Sequence, residues 1–393
     1  MRSVTVGVVD IGETERKYVN DVLDSNRLSA GKYTRTFEQS FASRHDCRHG
    51  VLLNSGTSAL QVALATLKEV KGWKDGDEVI VPAVTFIATS NIVLYNGMMP
   101  KFVDVDPQFY NIDPSRLEAA ITPRTRAVIP VHLFGLPCDM HPILDVAQRY
   151  GLAIIEDSCE TMFARYGGRS VGSFGTLACF STYVAHLLVT GVGGIITTNS
   201  DEYALICRSL MAHGRDSIYL NIDDDDNVSD STLREIVARR FSFVRLGFSY
   251  RLTELEAALG LAQLERADEI ISRRRANAKL LTERLQQYRD FLQLPAVLEN
   301  CDHSFMMFPI VVKDGLERDD LVNSLEKRGV ETRYMLPLLN QPIYRRLFGD
   351  LEKRYPVAAW INRSGFYIGC HHMLSVEDID YVAEVFGEYI ASH

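Results

Sequence analysis

Short apolar runs alternating with helical stretches are the feature that most constrains how this chain folds. "DEVIVPA", "RAVIPVHL", "LAIIED" and "GGIITTN" are each bounded by polar or turn-forming residues. Apolar at their centres, they read as strands buried on both faces. After "NSGTS", apolar residues fall at Leu60, Ala63, Leu64 and Leu67, the i, i+3, i+4, i+7 spacing of one buried helix face. Alternation of this kind predicts an α/β fold with a mostly parallel sheet flanked by helices.

The chain's 393 residues are enough for a large α/β unit and a smaller appended one. We expect a large ligand-binding domain over residues 1–252, interrupted by an inserted excursion at 217–245. The excursion opens with four consecutive aspartates, Asp223 to Asp226. They are expected to form a solvated loop and not a metal site, because successive aspartates do not by themselves converge on one ion. From Thr253 a long helical pattern, "TELEAALGLAQLERADEIISRRRANAKLLTERLQQY", is expected to lead into a small C-terminal α+β domain, so that 253–393 forms the second unit.

Charge and cysteine usage exclude several functions. The formal net charge is −9 and no basic run tracks a phosphate backbone, so nucleic acid is not an expected partner. No apolar run approaches the length of a membrane span, and the N-terminus meets acidic residues before a signal-peptide core could form. A cytoplasmic location is therefore expected. The seven cysteines are scattered, with no C-x-x-C pair, which argues for reduced thiols and against a zinc or iron–sulfur centre.

Four stretches can meet one ligand. In "NSGTSAL", Gly56, Thr57 and Ser58 precede a helix, whose free N–H groups and hydroxyls make either a phosphate cradle or an ordinary N-cap. Phe86 in "VPAVTFIATSN" follows a strand and is either a core residue or an aromatic stacked on a planar ring. "LAIIEDSCET" ends a strand with Glu156 and Asp157, where open α/β sheets bind ligands, although helix capping reads equally well. In "STYVAHLLVTGVGG", Ser181 can donate to a phosphate and His186 follows five residues later.

In this order the four stretches resemble the pyridoxal-phosphate-dependent sugar aminotransferases of the DegT/DnrJ/EryC1/StrS family. Further matches are "DSNRLSAGKYTRTFE", "PVHLFGLPCDM", "GGRSVGSFG", "HGRD", "GFSYRLTELEAALG" and "TRYMLPLLNQPIY", so the resemblance covers nearly the whole chain. It implies a fold-type I aminotransferase architecture. It also implies that Gly56, Thr57 and Ser181 contact the cofactor phosphate, that Ser58 is among the cofactor-binding residues, that Phe86 stacks on the ring, and that Asp157 pairs with its nitrogen. A homodimer with shared active sites is implied as well. Ser249 stands where the family has an asparagine reaching the neighbouring subunit's phosphate, and Val192 replaces the glutamate of G-E-G-G.

The largest departure is His186, at the position of the family's cofactor-binding lysine. That lysine forms the covalent link and moves protons; histidine can do only the second. The same replacement marks the sugar 3-dehydratases of the family, exemplified by GDP-4-keto-6-deoxymannose 3-dehydratase. Glu160 in "ED-x-C-E", the excursion at 217–245 and "GFYIGCHHMLSVEDIDYV", which brings His371 forward, are similar to that branch. The resemblance then implies non-covalent pyridoxal or pyridoxamine phosphate, a nucleotide-linked 4-keto sugar, L-glutamate as amino donor, and His186, Glu160 and His371 as catalytic candidates. An ordinary sugar aminotransferase and a catalytically inactive homologue are the competing readings. No lysine occurs between Lys101 and Lys279 to replace the missing one locally.

Overall fold

A computed structural model describes residues 2–220 and 223–392 of the chain; residues 221 and 222 of the acidic excursion lie outside it. Among the described residues, seven strands form one sheet: β1 (His49–Leu53), β2 (Glu78–Pro82), β3 (Met99–Val103), β4 (Thr125–Val128), β5 (Ala153–Asp157), β6 (Leu177–Ser181) and β7 (Gly194–Thr198). Their spatial order is β1-β7-β6-β5-β4-β2-β3. The β3, β2, β4, β5 and β6 pairings are parallel, whereas β7 runs antiparallel to both β6 and β1. The opposition of β7 has a simple cause. The β6–β7 connection carries no crossover helix, so the chain folds straight back.

Because β7 reverses, β1 points the same way as the remaining strands. The carboxyl ends of β1, β2, β5 and β6 therefore open at one edge, and the four stretches that looked ligand-binding in sequence follow those four ends. Residues of β2, β6 and β7 are buried throughout, which explains their unbroken apolar runs.

A second sheet contains β8 (Leu292–Gln293), β9 (Met307–Val312), β10 (Thr332–Tyr334) and β11 (Gly365–Gly369), in the order β8-β9-β11-β10 with all pairs antiparallel. Its core is shared with the helices Ala267–Leu285, Arg318–Lys327 and Val376–Ala391, through Leu281, Leu321, Leu325, Phe366 and Phe386. The N-terminal Val4 pairs with Val330 and buries itself in the same core. The helical pattern that begins at Thr253 is two helices, Glu254–Glu265 and Ala267–Leu285, separated at Arg266 (φ −101°, ψ 5°).

The aspartate run is partly paired. Asp223 bridges Arg27 and Arg35 at 2.6 and 2.8 Å, and Asp225 meets Arg240 at 2.6 Å. Among the described residues no cluster could hold a metal ion, and no helix is long and apolar enough to cross a membrane.

Candidate active site

The common strand edge opens into a cavity of about 640 Å³. Gly56, Thr57, Phe86, Asp157, Glu160, Ser181 and His186 all line it. Residues from Gly56 to His186 are thus brought to one surface by the sheet.

The cradle forms at the start of the helix Gly56–Lys71. Ser55 caps it, its hydroxyl accepting the Ser58 N–H at 3.1 Å. Gly56 is required by close approach: a Cβ there would lie 2.8 Å from both Cys159 Sγ and Ser181 Cβ. Gly194 is still tighter, since a Cβ would sit 2.1 Å from the Ser55 carbonyl oxygen. The glycines of "TGVGG" therefore let β7 press Ser181 and the helix terminus into one concave surface. Exposed N–H groups, the helix dipole, Thr57 and Ser181 make a donor set suited to a phosphate.

Phe86 is the N-cap residue of the helix Ile87–Tyr95 and is 57% exposed, which removes the core reading. Asp157 and Glu156 part ways because successive strand residues face opposite sides of the sheet. Glu156 points into the protein, accepting the N–H groups of Gly172 (2.8 Å) and Gly175 (2.6 Å) and facing His132 at 3.1 Å. Asp157 faces the cavity; its carboxylate accepts Thr89 Oγ1 at 2.7 Å and the Cys159 N–H at 3.2 Å. Burial nevertheless pushes its carboxyl above the usual range. No lysine or arginine pairs with it among the described residues, so a cationic pyridinium N–H would complete it.

His186 lies in the β6–β7 connection, with Nδ1 3.0 Å from the Ser181 carbonyl oxygen. A carbonyl only accepts, so Nδ1 carries the proton and Nε2 keeps its lone pair. Burial, opposed by that hydrogen bond and assisted by the fully buried Arg274, lowers the imidazole to about 4. At neutral pH it is an unprotonated base.

Glu160 is its counterpart. Burial, with the nearby Asp157 charge, raises it to about 7, although its Oε2 accepts the Phe134 N–H at 3.0 Å. Phe134 is held at φ 57°, an uncommon value for an aromatic residue, and this turn aims its N–H at Glu160. One group poised to accept a proton and one poised to donate it thus share a cavity.

Three expected residues lie outside. The Ser58 hydroxyl turns away, donating to Asn54 Oδ1 at 2.7 Å. Ser249 is exposed and accepts from Arg251 at 3.1 Å. His371 sits behind the wall, with Nε2 3.3 Å from Thr5 Oγ1 and its carbonyl held by Asn277 at 2.8 Å. Conversely, the cavity is also lined by Ser55, Thr89, Arg333 and the N-terminal residues Val6 to Val9, which sequence reasoning missed. Thr89 was readable as the next turn of the helix after Phe86. Arg333 lay inside a quoted motif, but its direction depends on how the two sheets close together.

Three comparisons bear on this site. The model of the "DegT/DnrJ/EryC1/StrS aminotransferase family" matches residues 9–386. The chain is 37% identical to GDP-perosamine synthase of Caulobacter vibrioides over 383 residues, covering 96% of each. It is 30% identical to GDP-4-keto-6-deoxy-D-mannose 3-dehydratase of Escherichia coli O55:H7 over 380 residues, 95% of this chain and 96% of that one. A solved structure of GDP-4-keto-6-deoxymannose-3-dehydratase with a trapped PLP-glutamate geminal diamine superposes with a TM-score of 0.89 at 28% identity, covering 98% of this chain and 100% of that one. The fold is therefore that of fold-type I pyridoxal-phosphate enzymes, and the cofactor is pyridoxal phosphate.

Proposed function

This chain belongs to the DegT/DnrJ/EryC1/StrS aminotransferase family, and from that premise we propose that it removes the C3 hydroxyl of a nucleotide-linked 4-keto sugar. In this reading the cofactor is held without a covalent link, and glutamate restores its amine form. His186 is the observation that carries it. The lysine expected at that position is absent, and no lysine is among the residues lining the cavity. An imidazole cannot form the covalent link, but its free Nε2 can move a proton.

The residues present fit the cofactor: a phosphate cradle that a Cβ at Gly56 would fill, an exposed aromatic face, and a buried carboxylate lacking a cation. Pyridoxamine phosphate, when bound, supplies an amine for the 4-keto carbon and a ring that accepts electrons. Ser55 to Thr57 and Ser181 would hold its phosphate, Phe86 would offer its ring for stacking, and Asp157 would keep the ring nitrogen protonated. His186, with Nδ1 turned to the Ser181 carbonyl, would use its free Nε2 to accept the proton that must move. Glu160, protonated in part at neutral pH, gives one to the departing C3 oxygen, which leaves as water. Assembly as a homodimer belongs to the same proposal: Ser249 stands outside its own cavity, beside exposed Phe241, Val244 and Leu246.

Transamination at C4 is the second reading, favoured by the 37% identity to a perosamine synthase. The lysine-free cavity weighs against it, since no lysine is there to form the covalent link to the cofactor. The test is to supply pyridoxamine phosphate, glutamate and a panel of nucleotide 4-keto sugars, then identify products by mass spectrometry. A 3-deoxy-4-keto sugar with ammonia supports dehydration; a 4-amino sugar without ammonia overturns it.

A further inference from the structure

Strand β11 reads "GFYIG", and its pleat divides the three middle residues. Phe366 and Ile368 point into the core of the small sheet, so Tyr367 between them points the other way, into the cavity it lines. Packing alone asks only for an apolar ring here, yet this one carries a hydroxyl that makes no hydrogen bond among the described residues. A phenol so placed needs a partner once a ligand displaces water from it. We infer that the Tyr367 hydroxyl donates to the departing C3 oxygen of the sugar, beside Glu160; this rests on the dehydration reading above.

The packing aims it there. The Tyr367 and Phe134 rings meet with centroids 5.5 Å apart, and the Phe134 N–H is the donor that holds Glu160 at 3.0 Å. One residue therefore places the phenol and the carboxyl on the same part of the wall. The turn that carries Phe134 is itself fixed, because the Ser304 N–H donates to the Gly135 carbonyl at 2.8 Å. Burial, and then the Glu160 charge, push the phenol above its ordinary value, so at neutral pH it remains a donor and gives up no proton. When the C3–O bond breaks, its electron pair leaves with the oxygen. Glu160 supplies the proton that completes water, and the phenol O–H stabilises the charge on oxygen while that transfer is under way.

Tyr367→Phe removes only the hydroxyl and keeps the ring against Phe134. Two unreactive probes, GDP-linked 6-deoxyhexoses with a 4-hydroxyl in place of the keto group, differ only in having or lacking the C3 hydroxyl. Calorimetric titration of each into the wild-type and variant pyridoxal forms completes a cycle that isolates the contact. The wild type is expected to prefer the probe with the C3 hydroxyl roughly 3- to 10-fold, the scale of one hydrogen bond, and Tyr367→Phe to lose that preference. In a single turnover of the pyridoxamine form with the 4-keto sugar, the variant should slow roughly a hundredfold, the scale for losing one donor to a developing oxyanion. Reaction of its pyridoxal form with L-glutamate, followed by absorbance, should be unchanged. An equal loss for both probes overturns the proposal, because the hydroxyl then meets another part of the ligand. So does a wild type without the preference, a preference that survives the substitution, or a slower glutamate reaction, which assigns the hydroxyl to the amino donor. If the wild type makes a 4-amino sugar with its C3 hydroxyl intact, the dehydration reading itself has failed, and that result is visible before any variant is compared.

Discussion

Replacing Glu160 by glutamine should make the protein less active and more stable at alkaline pH, and both effects follow from one buried carboxyl. Raising its pKa from 4.5 to about 7 amounts to a preference of about 3 kcal/mol for the neutral form. The folded state then holds this proton more tightly than the unfolded chain does. Folding stability therefore falls as pH rises from 4.5 through about 7 and levels off above that range. Glutamine cannot ionise, yet its amide oxygen can still accept the Phe134 N–H that Glu160 accepts at 3.0 Å. Between pH 5 and pH 8 the stability of Glu160→Gln relative to the wild type should rise by about 2.5 kcal/mol. Urea denaturation of the apo protein at both pH values measures this. Turnover should drop by roughly a hundredfold or more, the scale for losing a general acid. A stability difference that stays constant across that range would refute the reasoning, because Glu160 would then ionise as an ordinary surface carboxylate does.

Other residues make separate demands. His186→Asn keeps a donor for the Ser181 carbonyl but loses the free Nε2; cofactor affinity should hold while turnover falls roughly a hundredfold or more, read by dialysis and initial rates. The wild type should lose activity on the acid side as His186 protonates near 4 and on the alkaline side as Glu160 ionises near 7, so a rate profile without an alkaline limb removes Glu160 as the acid. Gly194→Ala drives a Cβ to 2.1 Å from the Ser55 carbonyl oxygen; overpacking of about 1–3 kcal/mol should lower the melting temperature and weaken cofactor binding together. Analytical ultracentrifugation should show a dimer, and a fully active monomer contradicts the shared-site assembly.

Much of the cavity lining was legible because it sits at strand ends. Phe86, Asp157 and Ser181 follow apolar runs whose burial the sequence announces, and a parallel sheet gathers such ends on one edge. The antiparallel β7 was not legible, since "GGIITTN" is as apolar as its parallel neighbours and direction depends on the missing crossover helix. Local pattern also does not show that the Ser58 hydroxyl donates to Asn54, or that His371 lies against Thr5 and not in the cavity lining. Val6 to Val9 and Arg333 could not be assigned from pattern, because they meet the cavity only through pairings such as Val4 with Val330.

The central claim, that His186 directs the chemistry toward C3, is tested most directly by one turnover of the pyridoxamine-loaded protein in deuterium oxide. Nuclear magnetic resonance of the sugar product then locates the new carbon–deuterium bond. Deuterium at a C3 that carries no oxygen is the predicted result. Deuterium at C4, on a carbon bearing nitrogen with the C3 hydroxyl intact, would contradict the account.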